Sequence, residues 1–178
     1  MSDRILRAVE FAIRAHGDQR RKYTFEPYVM HCLEVARTVT YFGGTEDMVV
    51  AAILHDVVED TTVTPGEIED SFGHNVAALV VELSDVSRPE DGNRAARKAI
   101  DCAHSGKASP AGQTIKVADL ISNSKSIVAN APEFAKVYLV EKENILDVMG
   151  DANPDIVRLA RDILAESKVR VTYSSLNN

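Results

Sequence analysis

An apolar helical run that ends in four ionisable residues is the feature that most constrains this chain. Residues 51–61 read Ala-Ala-Ile-Leu-His-Asp-Val-Val-Glu-Asp-Thr. In a helix, His55 and Glu59 lie one turn apart, and so do Asp56 and Asp60. Burying carboxylates on an apolar helix is costly unless a cation compensates them, and a divalent ion bound by an imidazole and a carboxylate would do so. The stretch therefore favours a metal site. The alternative is that His55 and Asp56 end a core helix while Glu59 and Asp60 are solvated.

The composition limits the size of the fold and the class of partner. The 178 residues fit one domain, 1–178, and 45% hydrophobic residues suffice for a sizeable core. A net charge of −7 argues against a nucleic-acid or anionic-membrane binder, although a local basic cluster can still hold an anionic small molecule. Cys32 and Cys102 form no CxxC spacing, no apolar run reaches membrane-span length, and the amino end lacks the apolar core of a signal peptide. We expect a soluble cytoplasmic protein with a small-molecule partner. The composition indicates no oligomeric state.

Helical periodicity and cap signals recur along the whole chain and predict an all-α bundle. The first helix is expected over 3–16, with Ser2 or Asp3 as its cap and Gly17 as its end. Further helices are expected over about 27–42, 45–56, 65–72, 76–83, 93–102, 110–126, 132–149 and 154–166. The tail 167–178 alternates valine and tyrosine with polar residues, which is too little for a strand. No competing strand pattern is present, so any metal site must lie between helices.

Three other patterns each allow a functional and a structural interpretation. The loop 18–26 holds consecutive cations, Arg20, Arg21 and Lys22, which either form a solvated turn or bind phosphate and a base. His31 lies beside the apolar stripe of its helix, where a histidine is either a hydrogen-bonded core residue or a metal ligand. The helix after Pro110 has a polar face, which is either exposed to solvent or lines a hydrated pocket. Its members are Asp119, Ser122, Asn123 and Ser126.

Combining these residues gives one candidate site. His31, His55, Asp56 and Asp119 supply two imidazoles and two carboxylates from three helices, and mixed nitrogen and oxygen ligands suit six-coordinate Mn²⁺ or Fe²⁺ better than a closed tetrahedral zinc site. Such an ion lowers the pKa of bound water, which predicts hydrolysis. Glu59 and Asp60 would then orient the water or transfer a proton.

The same residues resemble a known family. The order of His31, the His55-Asp56 pair and Asp119 is similar to the HD phosphohydrolase superfamily. Longer strings resemble the hydrolase domain of RelA/SpoT-type (p)ppGpp enzymes, and most closely its small single-domain form, over about residues 5–126. These strings are Gln19-Arg20-Arg21-Lys22, Pro27-Tyr28-x-x-His31, Ala52-Ile53-Leu54-His55-Asp56-Val57-Val58-Glu59-Asp60-Thr61 and Lys116-Val117-Ala118-Asp119-x-x-x-Asn123.

The resemblance implies a role for each matching residue. It implies Mn²⁺, with Fe²⁺ and Zn²⁺ as alternatives, bound by His31, His55, Asp56 and Asp119. It also implies catalysis by Glu59 and Asp60, and substrate binding by Arg21, Lys22 and Asn123, to which the polar face adds Ser126 as a candidate. The implied reaction removes pyrophosphate from the ribose 3′ position of ppGpp or pppGpp and gives GDP or GTP.

The chain also departs from the family pattern. The glycine usual between the Arg-Lys pair and the Pro-Tyr string is replaced by Tyr23-Thr24-Phe25-Glu26, Leu120 follows Asp119 instead of a basic residue, and Ser122 precedes Asn123 instead of an aromatic residue or histidine. Lys125 could stand in for a family arginine. These changes concern substrate contacts more than metal ligands. They leave open another nucleotide, such as NADPH with its 2′-phosphate, or a module that senses a nucleotide without cleaving it.

Overall fold

Local signals at helix ends determine where most elements of the fold begin and stop. The computed structural model describes residues 2–176, without the side chains of 174–176. Ser2 and Thr45 accept hydrogen bonds from Ile5 N and Met48 N at the starts of two helices. Thr64 and Glu67 form the expected capping box at the start of another. The elements are α1 Asp3–His16, α2 Val29–Tyr41, α3 Glu46–Leu54, α4 Val57–Asp60, α5 Pro65–Phe72, α6 His74–Leu83, a 3₁₀ turn Pro89–Asp91, α7 Arg94–Ser105, α8 Pro110–Asn130, α9 Pro132–Val148 and α10 Pro154–Leu176.

The predicted all-α bundle is confirmed. No strand occurs within residues 2–176, where the only extended pairing is an isolated antiparallel bridge between Arg20 and Pro27. No helix in this described part is long and apolar enough to cross a membrane. The core is contiguous, with α2 packed against α3 and α8, and α8 packed against α9 and α10. On α8 both apolar residues, such as Ile115, and members of the polar face, Asp119 and Ser122, are buried, so α8 brings its polar face into the interior.

Two expectations about helix extent are wrong. The helix that was expected to run through His55 and Asp56 ends at Leu54, and a new turn begins at Val57. The last helix, expected to stop near residue 166, continues to Leu176. Its buried residues Leu164, Ser167 and Val171 recur at helical spacing, so packing against the core outweighs the β-propensity of the valines. Residues 177–178 of the expected tail lie outside the described residues.

Candidate active site

Four of the sequence-predicted residues converge on one point between α2, α8 and the turn after α3. The Nε2 atom of His55 lies 2.9 Å from Asp56 Oδ2 and 3.7 Å from Asp119 Oδ1. The Nε2 atom of His31 lies 3.5 Å and 3.1 Å from the same two oxygens. His31, His55 and Asp56 offer ligand atoms that all lie within 4.8 Å of one another. The structure therefore brings the four predicted metal ligands together.

The break between α3 and α4 allows adjacent residues to share this point. Successive side chains of a continuous helix diverge by about 100° around its axis, so two neighbours cannot readily face one ion. Asp56 instead adopts φ −95° and ψ −4°, at the edge of the helical region. The carboxylate of Asp56 thereby returns to His55 Nε2. The expectation of one continuous helix through His55 and Glu59 is accordingly wrong, although the Asp60 amide still donates to the Asp56 carbonyl oxygen at 2.8 Å.

Hydrogen bonds at the far side of each histidine ring fix which nitrogen faces the point of convergence. His55 Nδ1 lies 2.9 Å from the carbonyl oxygen of Ala52, which can only accept, so Nδ1 carries the proton. In a neutral ring this leaves a lone pair on Nε2. The Nε2 atoms of His31 and His55 are buried, and neither makes a hydrogen bond to any residue that the structure describes. Two buried lone pairs aimed at two carboxylates form a donor set that fits a divalent cation.

A serine and a glutamate hold His31 in the same tautomer. The Ser122 hydroxyl donates to Glu34 Oε2 at 2.6 Å, so its oxygen accepts from His31 Nδ1 at 2.9 Å. Arg21 Nη1 also donates to Ser122 Oγ at 3.3 Å and lies 3.6 Å from Glu34 Oε2. A residue that accepts a hydrogen bond from the far nitrogen of a metal-binding imidazole, as Ser122 does here, orients the ring and raises its basicity.

The electrostatics of the four residues favour opposite charges in close contact. Burial by itself lowers the pKa of His31 and His55, but the adjacent Asp119 and Asp56 carboxylates outweigh it and raise both values. Burial likewise opposes ionisation of Asp119, yet the two histidines hold its pKa well below the usual range. The pocket therefore stabilises positive charge between two ionised carboxylates.

The two predicted catalytic acids line a small cavity next to this cluster. Glu59 and Asp60 extend from α4 into a cavity of about 190 Å³ that also contains Asp56, Asp119 and Asn123 on its wall. Gln19 Nε2 donates to Asp60 Oδ2 at 2.9 Å, and the Asp85 amide donates to Glu59 Oε2 at 3.1 Å. Partial burial and the nearby Asp85 raise the pKa of Glu59, as suits a group that exchanges protons near neutral pH.

The predicted substrate-binding residues are divided between this cavity and a second one. Arg21 and Ser126 line a neighbouring cavity of about 270 Å³. Arg21 Nη2 donates to Asn123 Oδ1 at 3.2 Å, and Asn123 donates to Asp119 Oδ1 at 2.6 Å, which links the two cavities. The structure does not bring Lys22 to either one: its side chain is exposed, with its ammonium 5.3 Å from the centre of the Tyr23 ring.

Sequence reasoning missed several partners of these residues. Tyr28 donates from its hydroxyl to Asp56 Oδ2 at 2.7 Å, and its ring contacts those of His16 and His31. The spacing of Tyr28 and His31, three residues apart at the start of a helix, was the available signal. No local signal points to Glu34, because it meets the site only through the packing of α2 against α8.

Comparison with known proteins agrees with this geometry. Residues 8–108 match the family model of the HD domain. Human MESH1, named a guanosine-3′,5′-bis(diphosphate) 3′-pyrophosphohydrolase, is 38% identical over 132 residues, which are 72% of this chain and 72% of the human protein. MESH1 of Drosophila melanogaster is 30% identical over 163 residues, covering 87% of this chain and 89% of that protein. An Aquifex aeolicus protein with the same enzyme name is 42% identical over 87 residues, which are 49% of this chain and 12% of that protein.

A solved structure extends the similarity beyond the matched family region. It is described as a metazoan ortholog of SpoT that hydrolyzes ppGpp. It superposes with a TM-score of 0.83 at 27% sequence identity, covering 93% of this chain and 96% of that chain. The shared architecture therefore includes most of α9 and α10, which follow the matched residues.

Proposed function

The chain belongs to the HD-domain family, and from this premise we propose that it hydrolyses the 3′-pyrophosphate of ppGpp and pppGpp. Water is added across the bond between the ribose 3′ oxygen and the pyrophosphate group, which yields GDP or GTP and pyrophosphate. One observation carries the proposal: two imidazoles and two carboxylates converge beside a cavity that also holds two further acids. The relatives that are named for this reaction give the substrate.

In this proposal, His31, His55, Asp56 and Asp119 hold a divalent ion. When bound, the ion would polarise a phosphoryl oxygen and lower the pKa of a water molecule. The mixed nitrogen and oxygen donor set supports Mn²⁺, with Fe²⁺ and Zn²⁺ as alternatives. Two free thiols, Cys32 and Cys102, are compatible with a reducing compartment such as the cytoplasm.

The protein's own groups are assigned three tasks. Glu59, whose pKa is raised, accepts a proton from the attacking water and passes it to the leaving ribose 3′ oxygen. Asp60, oriented by Gln19, positions that water. Arg21 and Asn123, which contact each other across the boundary of the two cavities, hold the nucleotide so that its phosphate groups enter the smaller cavity.

The test is a product assay on the metal-stripped chain with added Mn²⁺. We expect pyrophosphate and GDP from ppGpp, and no turnover by Asp119→Ala, because that variant loses a metal ligand. Release of phosphate from NADPH, measured in parallel, covers the second phosphohydrolase reaction that the sequence allows. If the folded, Mn²⁺-loaded chain releases no pyrophosphate from ppGpp, the proposed substrate is wrong.

A further inference from the structure

Three lysines from three different helices line the end of the smaller cavity that is formed by α7, α8 and α9. They are Lys98, Lys116 and Lys142. Lys98 donates to Asp85 Oδ2 at 2.6 Å and to Asp101 Oδ2 at 3.2 Å. Lys116 donates to the Leu83 carbonyl oxygen at 2.9 Å and lies 3.6 Å from Asp85 Oδ1. Both ammonium groups are thus already engaged by the protein.

Lys142 differs from the other two because it has no carboxylate partner among the residues that the structure describes. No described Asp or Glu oxygen lies within 4.0 Å of its ammonium, and no hydrogen bond is formed. Its ammonium lies 5.1 Å from the centre of the Tyr138 ring. Burial lowers the pKa of Lys142, and although Asp119 raises it, Lys116 and Lys98 lower it further. Lys142 is half-buried, and a partly desolvated cation without a counterion favours the binding of an anion.

The chemistry of the cavity identifies that anion. Asp56, Asp119 and Lys142 border the same cavity of about 190 Å³, so one ligand that fills this cavity can contact both carboxylates and Lys142. Lys98, Lys116 and Lys142 bring three cationic side chains to this end of the cavity, which disfavours a cationic ligand there and favours one with several negative oxygens. We propose that Lys142 binds a second phosphoryl group of the substrate, one other than the phosphoryl group held at the metal ligands. The substrate is then a nucleotide that carries more than one phosphoryl group within reach of the cavity.

This inference rests on the proposed function for the kind of substrate, but a binding measurement tests it separately. The background is Glu59→Gln loaded with Mn²⁺, in which substrate can bind without rapid turnover. Titration calorimetry measures the affinity of the Glu59→Gln chain for ppGpp. It is then repeated on Glu59→Gln chains that also carry Lys142→Met, Lys142→Arg or Lys136→Met. Lys136 is the matched control because it lies on the same helix, pairs with Glu133 and does not line this cavity. Thermal unfolding establishes that each variant is folded.

We expect Lys142→Met to weaken ppGpp binding by about 10- to 100-fold, the effect of losing a hydrogen bond to a charged group. Lys142→Arg should restore most of the affinity, and Lys136→Met should leave it unchanged. Two analogues identify the phosphoryl group: one has a 3′-monophosphate and a 5′-diphosphate, and the other has a 3′-diphosphate and a 5′-monophosphate. The analogue that lacks the group bound by Lys142 should be insensitive to Lys142→Met.

Equal affinity of the Lys142→Met and Lys142 chains for ppGpp would overturn the inference. An equal loss for ppGpp and both analogues would instead assign Lys142 to the first 5′ phosphoryl group, which all three nucleotides share. The proposed reaction is judged independently, by pyrophosphate release from the chain with Glu59 intact. A chain that binds ppGpp through Lys142 without hydrolysing it refutes the proposed function alone, and hydrolysis that is indifferent to Lys142 refutes this inference alone.

Discussion

Replacing Ser122 with alanine tests how the protein prepares His31 for a metal ion. The substitution removes the oxygen that accepts from His31 Nδ1 at 2.9 Å. Because His31 is 1% exposed, its ring proton would be left buried without an acceptor. Such a loss costs about 1–3 kcal/mol. Removal of a residue that hydrogen-bonds to a metal ligand lowers the affinity for the metal ion about 10- to 100-fold, or by about 1.4–2.7 kcal/mol. The first figure applies to the free energy of unfolding and the second to metal binding, so we expect Mn²⁺ to bind Ser122→Ala about 10- to 100-fold more weakly.

The assay is titration calorimetry of Mn²⁺ into the metal-stripped chain, and the helix itself supplies the control. Ser124 is fully buried on α8, two residues from Ser122, and its hydroxyl makes no hydrogen bond to any described residue. Ser124→Ala therefore removes the same atom from the same helix without touching His31. We expect it to bind Mn²⁺ like the unmodified chain. Glu34→Gln should have a small effect, because its amide oxygen can still accept from the Ser122 hydroxyl.

Two outcomes would contradict this reasoning. If Ser122→Ala binds Mn²⁺ as tightly as the unmodified chain, the hydrogen bond does not prepare the histidine. If Ser124→Ala is weakened as much as Ser122→Ala, the effect comes from packing of α8 and not from the contact with His31.

Three further predictions concern the acid, the ion and the fold. Glu59→Gln should reduce turnover of ppGpp by about 10² to 10⁴-fold with unchanged Mn²⁺ affinity, because the group transfers a proton but is not a ligand; kinetics and calorimetry on one sample check both parts. Mn²⁺ at 100 times its Kd should stabilise the chain by about 2.7 kcal/mol and raise Tm by about 5–10 °C in a thermal melt, whereas Asp119→Ala should show no shift. Thr64→Ala removes the cap of α5 and should lower the free energy of unfolding by about 1 kcal/mol, which lowers Tm by about 2–4 °C. The increase in Tm caused by Mn²⁺ should persist in this variant.

Helix ends were predictable where their signals are local. The capping residues Ser2, Thr45 and Thr64 act within three residues of themselves, so the sequence alone locates the starts of their helices. The break at His55 was not predictable, because the apolar pattern of α3 and the turn 57–60 is compatible with one continuous helix. The four residues that converge at the break come from segments far apart in the sequence, so no local pattern reveals their convergence.

The candidate site was predictable for residues that lie in recognisable strings and not for the groups that support them. His31 and Ser122 are 91 positions apart, and Ser122 and Glu34 are 88 positions apart. No spacing rule connects such pairs; they are seen only when α2 packs against α8. Lys142 was missed for the same reason, since it lies on α9, outside every string that carried the resemblance. Lys22 shows the opposite error. It lies within a matching string and was predicted to bind substrate, but its side chain lines neither cavity.

The loop 18–27 explains how the chain can lack the glycine expected there and still form the site. Phe25 adopts φ +59°, a left-handed conformation that glycine usually supplies, and its side chain is 75% exposed at the tip of the loop. Backbone hydrogen bonds hold the loop below this tip, from Arg21 N to Glu26 O at 2.9 Å and from Tyr28 N to Gln19 O at 3.0 Å.

The same loop carries the three side chains that reach the site. Gln19 binds Asp60, Arg21 binds Asn123, and Tyr28, at the end of the loop, binds Asp56. Because all three contacts arise from the hydrogen-bonded part of the loop, the departure from the family pattern alters an exposed tip and leaves the supports of Asp60, Asn123 and Asp56 in place. The tip can therefore vary, and with it contacts to the outer part of a nucleotide, without a change in the groups that would perform hydrolysis.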